Sequence, residues 1–183
     1  MSGSGPRVEL VRTPERPRYD GLISTVALEQ FEAILAELEP MLTKLLDQAK
    51  HARLAHGRGA IPKAPGVYLF YDASGTPIYV GQSRNLNRRL AEHCRDSSGH
   101  NKASFAFNIA KRTSAGAGVD ITGFRADLVA RQDFEAQFRA AKRQVAKMPV
   151  QFVTEKRADL RTLFEVYATY VLGTQEYNTF ETH

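Results

Sequence analysis

Cysteine is scarce in this chain. Its 183 residues include one, Cys94, which excludes an intramolecular disulfide and any zinc site built on several thiolates. Long hydrophobic runs are missing too. Nothing approaches the roughly 20 consecutive apolar residues that cross a bilayer, so no contact with a membrane is expected. The opening residues, MSGSGPRVEL, carry no apolar stretch after their charges and do not read as a secretory signal. A cytoplasmic location is the expectation that follows. What the chain does have is the make-up of a folded globular protein, with 43% hydrophobic and 25% charged residues. Against 20 acidic side chains stand 25 Lys and Arg, a formal charge of +5, and this excess favours polyanionic partners through counterion release. Composition goes no further, because many basic proteins have no nucleic-acid partner.

Residues 1–20, rich in Pro, Arg and Gly, read as an N-terminal arm. Residues 21–60 read as a helical extension. Leu28, Phe31, Leu35, Leu38, Leu42 and Leu45 alternate spacings of three and four, the a/d pattern of coiled coils. Pro40 interrupts the pattern, which predicts two helices, 24–38 and 41–55, or one kinked helix. The stripe either packs on the chain's own core or forms the seam of a homodimer through the N-terminal helices.

Residues 61–183 read as the main domain, with a helical insertion at about 96–147. Gly66–Tyr71 and Pro77–Val80, rich in aromatic and β-branched residues, flank Asp72-Ala73-Ser74-Gly75 and predict a hairpin with Gly75 free to adopt positive φ. Asn85 is placed to cap a helix over 86–95. Within the irregular stretch 96–130 a short helix is a candidate at 101–112, followed by the Gly-rich run at 113–118. A longer helix is predicted over 131–147, a strand over 150–154, and a final helix over 157–172. That helix carries an apolar face of Leu160, Leu163, Phe164, Tyr167, Ala168 and Val171 and is ended by Gly173. The fold class expected is α+β, with a small three-stranded central sheet flanked by helices.

Gly66-Val67-Tyr68 is followed eleven residues later by Ile78-Tyr79-Val80-Gly81, then by Arg89 on a helix, Glu165 on a later helix and Asn178 near the end. This succession resembles the GIY-YIG nuclease superfamily, over residues 64–95 and 148–180. The resemblance implies that Tyr68 and Tyr79 are the motif tyrosines, Arg89 the catalytic arginine, Glu165 the ligand of Mg2+ or Mn2+, and Asn178 a support of the site. The residue types suit phosphodiester hydrolysis. A carboxylate is what a hard cation prefers, and a guanidinium offers a planar fork to phosphate oxygens. Tyr68 takes a proton from the nucleophile only if nearby positive charge lowers its pKa. His93, one turn beyond Arg89, stands where repair-type relatives often carry Tyr and looks like the His of some restriction enzymes of this superfamily. It either binds the scissile phosphate or relays a proton, or else it is a surface helix residue. Taken alone, Glu165 also fits the rim of an apolar helix face, and Tyr68 and Tyr79 fit ordinary strand packing. Gln82 replaces the Lys frequent in the repair-type branch, and Arg84 or Arg88 is the expected source of positive charge in its place.

Nucleic-acid contacts are expected from Arg84 and Arg88 and from Arg139, Lys142 and Arg143 on the helix over 131–147, whose alternative is a solvated charged face. Two functions are chiefly in view, with RNA cleavage as a third, since nothing in the site distinguishes a 2′-hydroxyl. One is a divalent-metal-dependent DNA endonuclease, stand-alone or restriction-type. The other is a catalytically silent DNA-binding or protein-interaction module on the same fold.

Overall fold

The computed structural model describes residues 24–52 and 61–178; the N-terminal arm lies outside them. Helices α1 (Thr25–Ala36) and α2 (Leu38–Leu46) come first, then strand β1 (His51–Ala52). The domain continues with β2 (Gly66–Tyr71), β3 (Pro77–Ser83), α3 (Leu86–Glu92), α4 (Ser104–Gly116), α5 (Arg125–Ala130), α6 (Gln132–Val145), β4 (Pro149–Thr154) and α7 (Ala158–Val171). The class is α+β, as expected.

The expected three strands form an antiparallel sheet with β2 in the middle, and two-residue β1 extends it beyond β4 in the order β1-β4-β2-β3. Strand alternation divides the core in two. One face of the sheet offers Tyr68, Phe70, Tyr79 and Val150 to Leu86 and Leu90 of α3, Phe105 and Phe107 of α4, and Phe134 and Phe138 of α6. The other offers Val67, Leu69, Val80 and Val153 to Leu38, Leu42 and Leu45 of α2 and Leu160, Phe164 and Ala168 of α7. Every residue of β2 is buried, as befits a strand covered on both faces.

Local chemistry accounts for the element ends. Gly75 turns the hairpin with φ +86°. The Asn85 carboxamide accepts from the Arg88 N–H at 2.9 Å and so starts α3. Gly173, at φ +68°, lies just past α7.

Several boundaries differ from the sequence expectation. The N-terminal segment is two helices, broken at Glu37, and α2 ends at Leu46 rather than near 55. Pro40 is the third residue of α2, where an N–H would have no intrahelical acceptor, so it costs the helix nothing there. The break resets the helical phase. Leu38, Leu42 and Leu45 are buried in the core, whereas Leu28, Phe31 and Leu35 of α1 stay exposed, so the leucine stripe does not form one continuous seam. Helix α4 takes in Thr113–Gly116 of the Gly-rich run. Helix α5 escaped prediction because its six residues bury a single side chain, Leu128, too few for a periodic signal. Tyr170, on the outer side of α7, is 63% exposed. None of the described helices is long and apolar enough to cross a membrane.

Candidate active site

Hairpin register decides which side chains meet. Phe70 pairs with Tyr79 and Tyr68 with Gly81, so both motif tyrosines point to the α3 side of the sheet. Their ring centroids lie 6.3 Å apart. The Tyr68 ring covers Gly81, and a Cβ at that position would fall inside the phenol group. Glycine is therefore required at 81 by the tyrosine across from it. Gly66 is constrained in the same way by the Val153 carbonyl of β4.

Helix α3 brings up the next two groups. Arg89 donates from Nε to the Tyr68 hydroxyl at 3.3 Å, from one terminal nitrogen to the Lys102 carbonyl at 2.6 Å, and from the other to the Ser104 hydroxyl at 3.1 Å. His93 closes the helix and is fully buried; the surface reading is thereby excluded. Its Nε2 lies 2.7 Å from the Tyr68 hydroxyl. A guanidinium can only donate, so the Tyr68 oxygen accepts from Arg89 and gives its own hydrogen to His93 Nε2. The imidazole proton then sits on Nδ1, a buried atom without a hydrogen-bond partner. Burial first, and the Arg89 charge second, push the His93 pKa well below its ordinary value, which keeps the ring neutral. Burial likewise pushes Tyr68 well above the ordinary phenol range and raises Tyr79 more moderately, while Arg89 acts to lower both.

Glu165 and Asn178 come to these groups from the far end of the chain. Glu165 is half-buried on α7, and its charge acts on Tyr68, Tyr79 and Arg89. Desolvation raises its pKa, offset in part by hydrogen bonding to Gln82. Arg161, one turn earlier on α7, is buried and donates to the carbonyls of Glu155 and Lys156 at 3.0 and 2.8 Å and to Gln82 Oε1 at 3.4 Å. Thr162 holds the Gln82 amide nitrogen at 3.0 Å. The cation beside Gln82 is thus Arg161, while Arg84 and Arg88 are exposed. Asn178 caps the outer edge of β3: its Oδ1 accepts from the Val80 N–H at 3.0 Å and its Nδ2 donates to the Val80 carbonyl at 2.6 Å.

Residues 64–114 match the family model described as the UvrC-like GIY-YIG domain. This chain carries a GIY-YIG domain. Over 41 residues, 22% of the chain, it is 54% identical to the UvrABC system protein C of Saccharopolyspora erythraea. The corresponding protein of Serratia proteamaculans is 44% identical over 52 residues, 28% of the chain. The chain spans 6% and 8% of the lengths of these relatives. The matched segment holds Tyr68, Tyr79, Arg89 and His93 and runs on into α4, past the expected start of the insertion. Glu165 and Asn178 fall outside it, and it is the fold that joins them to the GIY-YIG domain.

The expected DNA-contacting residues are scattered. Arg88 is exposed on α3, 3.7 Å from Glu92, beside Arg89. On α6, Arg139 is exposed and paired with Glu135, and Arg143 is exposed beside Lys147 and Asp72 around a separate recess. Lys142 is a correction. It is buried, its Nζ donates to the carbonyls of Asp96 and Ser98 at 2.7 and 3.2 Å, and it ties α6 to the loop after α3 instead of facing solvent. Arg161, Thr162 and Ser104 were missed, because no sequence spacing signals partners drawn from separate elements.

Proposed function

We propose that the chain is a divalent-metal-dependent DNA endonuclease whose nuclease domain spans residues 61–183. The observation that carries this reading is the setting of Glu165. It is a half-buried carboxylate whose hydrogen-bonding neighbour is the neutral Gln82, and it shares its electrostatic environment with Arg89 and both motif tyrosines. A carboxylate kept from water without a charged hydrogen-bond partner suits a hard cation that brings its own water ligands. Bound there, Mg2+ or Mn2+ would supply charge neutralisation on the phosphate and an acidified water. Membership of the GIY-YIG domain in a nuclease family supports the same reading.

The protein's own groups divide the remaining work. Arg89 uses three of its five N–H donors on Tyr68, Lys102 and Ser104, which holds the guanidinium in place and leaves two for non-bridging phosphate oxygens. Tyr79 is the more exposed motif tyrosine, 8% against 1% for Tyr68, and Arg89 favours its phenolate. Burial keeps Tyr79 a protonated phenol near neutral pH, and we assign its hydroxyl to hold the attacking water in place by hydrogen bonding. Tyr68, bonded to His93 and Arg89, positions the guanidinium from behind. Asn178 fixes the β3 edge from which Tyr79 projects.

The test compares wild type with Glu165→Gln on supercoiled plasmid and on branched and single-stranded oligonucleotides, with Mg2+, Mn2+ or EDTA. Metal-dependent cleavage is expected, reduced by about 100-fold or more in the variant, and defined ends would mark a restriction-type enzyme. Melting without metal gives an independent readout. A carboxyl whose folded pKa lies above its ordinary 4.5 stabilises the fold while protonated, and loses that contribution as pH rises through the folded value. At pH 7.5 the metal-free Glu165→Gln protein is therefore expected to melt higher than wild type, and to show no stabilisation by added metal. No cleavage with any metal, together with salt-sensitive DNA binding unchanged in the variant, would replace the enzyme with the silent binding module.

A further inference from the structure

Aromatic packing continues outward from the motif tyrosines. Tyr79 stacks on Phe105 with centroids 4.3 Å apart and planes 11° from parallel. Phe105 meets Tyr177 edge-on at 5.7 Å, and Tyr177 walls a recess of about 480 Å3. Helix α4 and the loop into α5 supply the other walls. Phe124, the residue before α5, is 81% exposed, unusual for so large an apolar side chain at the mouth of a cavity. Lys111, Arg112 and Arg125 line the same space. Arg125 lies over the Phe107 ring at 4.4 Å and donates to Asn108 Oδ1 at 3.2 Å, and Arg112 is paired with Glu176. Two of the three cations are therefore held in place around the exposed ring.

A purely apolar ligand would leave these cations desolvated, and a simple anion would make no use of Phe124. A planar π-system attached to an anion uses both. The volume falls within the roughly 300–1,000 Å3 of small-ligand sites, and base-on-aromatic stacking with cations tracking the phosphates is how single strands are commonly held. Bases inside a duplex have their faces covered, so only an unstacked one can meet the ring. The unbroken ring contacts from Tyr79 through Phe105 to Tyr177 place the recess beside the motif tyrosines, within reach of a strand passing the site.

We propose that this recess binds one unstacked nucleotide of a DNA strand, its base on Phe124 and its phosphate beside Lys111 and Arg112. The choice of DNA rests on the nuclease reading. Discrimination for single-stranded or gapped regions next to the cleavage site follows from it.

The experiment measures binding of oligonucleotides carrying 2-aminopurine in EDTA, as single strand, gapped duplex and full duplex. Wild type, Phe124→Ala and Phe124→Trp are compared after melting curves establish that each is folded. Expected is tighter binding of single-stranded and gapped DNA than of duplex, weakened roughly 5- to 100-fold by Phe124→Ala and restored by Phe124→Trp, with duplex binding unchanged. Equal affinity of wild type and Phe124→Ala for single strands overturns the proposal, as does wild type binding single strands no tighter than duplex or not at all. Cleavage in Mg2+ with Phe124-independent binding would remove the recess and leave the nuclease. Phe124-dependent binding without cleavage in any metal would do the reverse.

Discussion

Tyr68, His93 and Arg89 form a buried hydrogen-bonded chain. With Arg89 donating to Tyr68, the phenol hydrogen is left for the neutral imidazole, and in that tautomer the buried Nδ1–H has no partner. Such a group resists protonation, with a consequence for stability. A histidine whose folded pKa is depressed adds stability above its unfolded pKa of about 6.5, and this is lost as pH falls toward the folded value. Unfolding midpoints in urea should therefore drop between pH 7 and 5. His93→Gln should flatten that part of the profile by up to about 1.4 kcal/mol per pH unit; parallel profiles would mean that His93 does not carry the effect. At this scale the sequence is informative about residue types and their order, which single out Tyr68, Tyr79, Arg89, Glu165 and Asn178. It is silent on protonation and on partners. The burial of His93, the cover of Tyr68 over Gly81 and the approach of Arg161 to Gln82 all depend on register and on side chains 13 to 79 positions apart in sequence.

Elements follow the periodicity of the sequence wherever a face is long enough to write one. Helices α6 and α7 and the hairpin lie close to where apolar spacing puts them. The stripe through α1 and α2 is continuous in sequence and discontinuous in space, because a one-residue break at Glu37 turns the second half inward. The basic face of α6 shows the same limit. Its charges are evident in sequence, but which of them looks inward depends on the loop after α3. Lys142 and Arg139 make the contrast measurable. Lys142→Met should cost about 1–3 kcal/mol by leaving the carbonyls of Asp96 and Ser98 without their donor. Arg139→Ala, at an exposed i,i+4 pair, should stay within about 0.5 kcal/mol. Denaturant unfolding checks both, and equal costs would contradict the inward placement of Lys142.

Across the whole molecule, the site is a meeting of segments. The hairpin and α3 bring Tyr68, Tyr79, Arg89 and His93 from one face of the sheet, and α7 brings Glu165 around the β3 edge from the other. A local motif search finds the first group because those four residues fall within 26 positions of one another. The second group is related to the first only through the sheet, so pattern alone could suggest its members but not their proximity. Asn178 belongs to this scale as well. Asn178→Leu, similar in size but unable to pair with Val80, is expected to lower stability by about 1–3 kcal/mol, read by thermal or urea unfolding. An unchanged midpoint would show that the amide is dispensable to the fold.

The position of that amide bears on how the protein behaves in a crowd. An outer strand with open N–H and carbonyl groups is an adhesive seam, ready to recruit the same strand from another molecule. By occupying both groups of Val80, a single asparagine imitates one residue of a further strand and blunts the seam beside Tyr79. Loss of the amide should thus appear in the colloidal record, as light scattering that grows with concentration and time in Asn178→Leu solutions of folded protein.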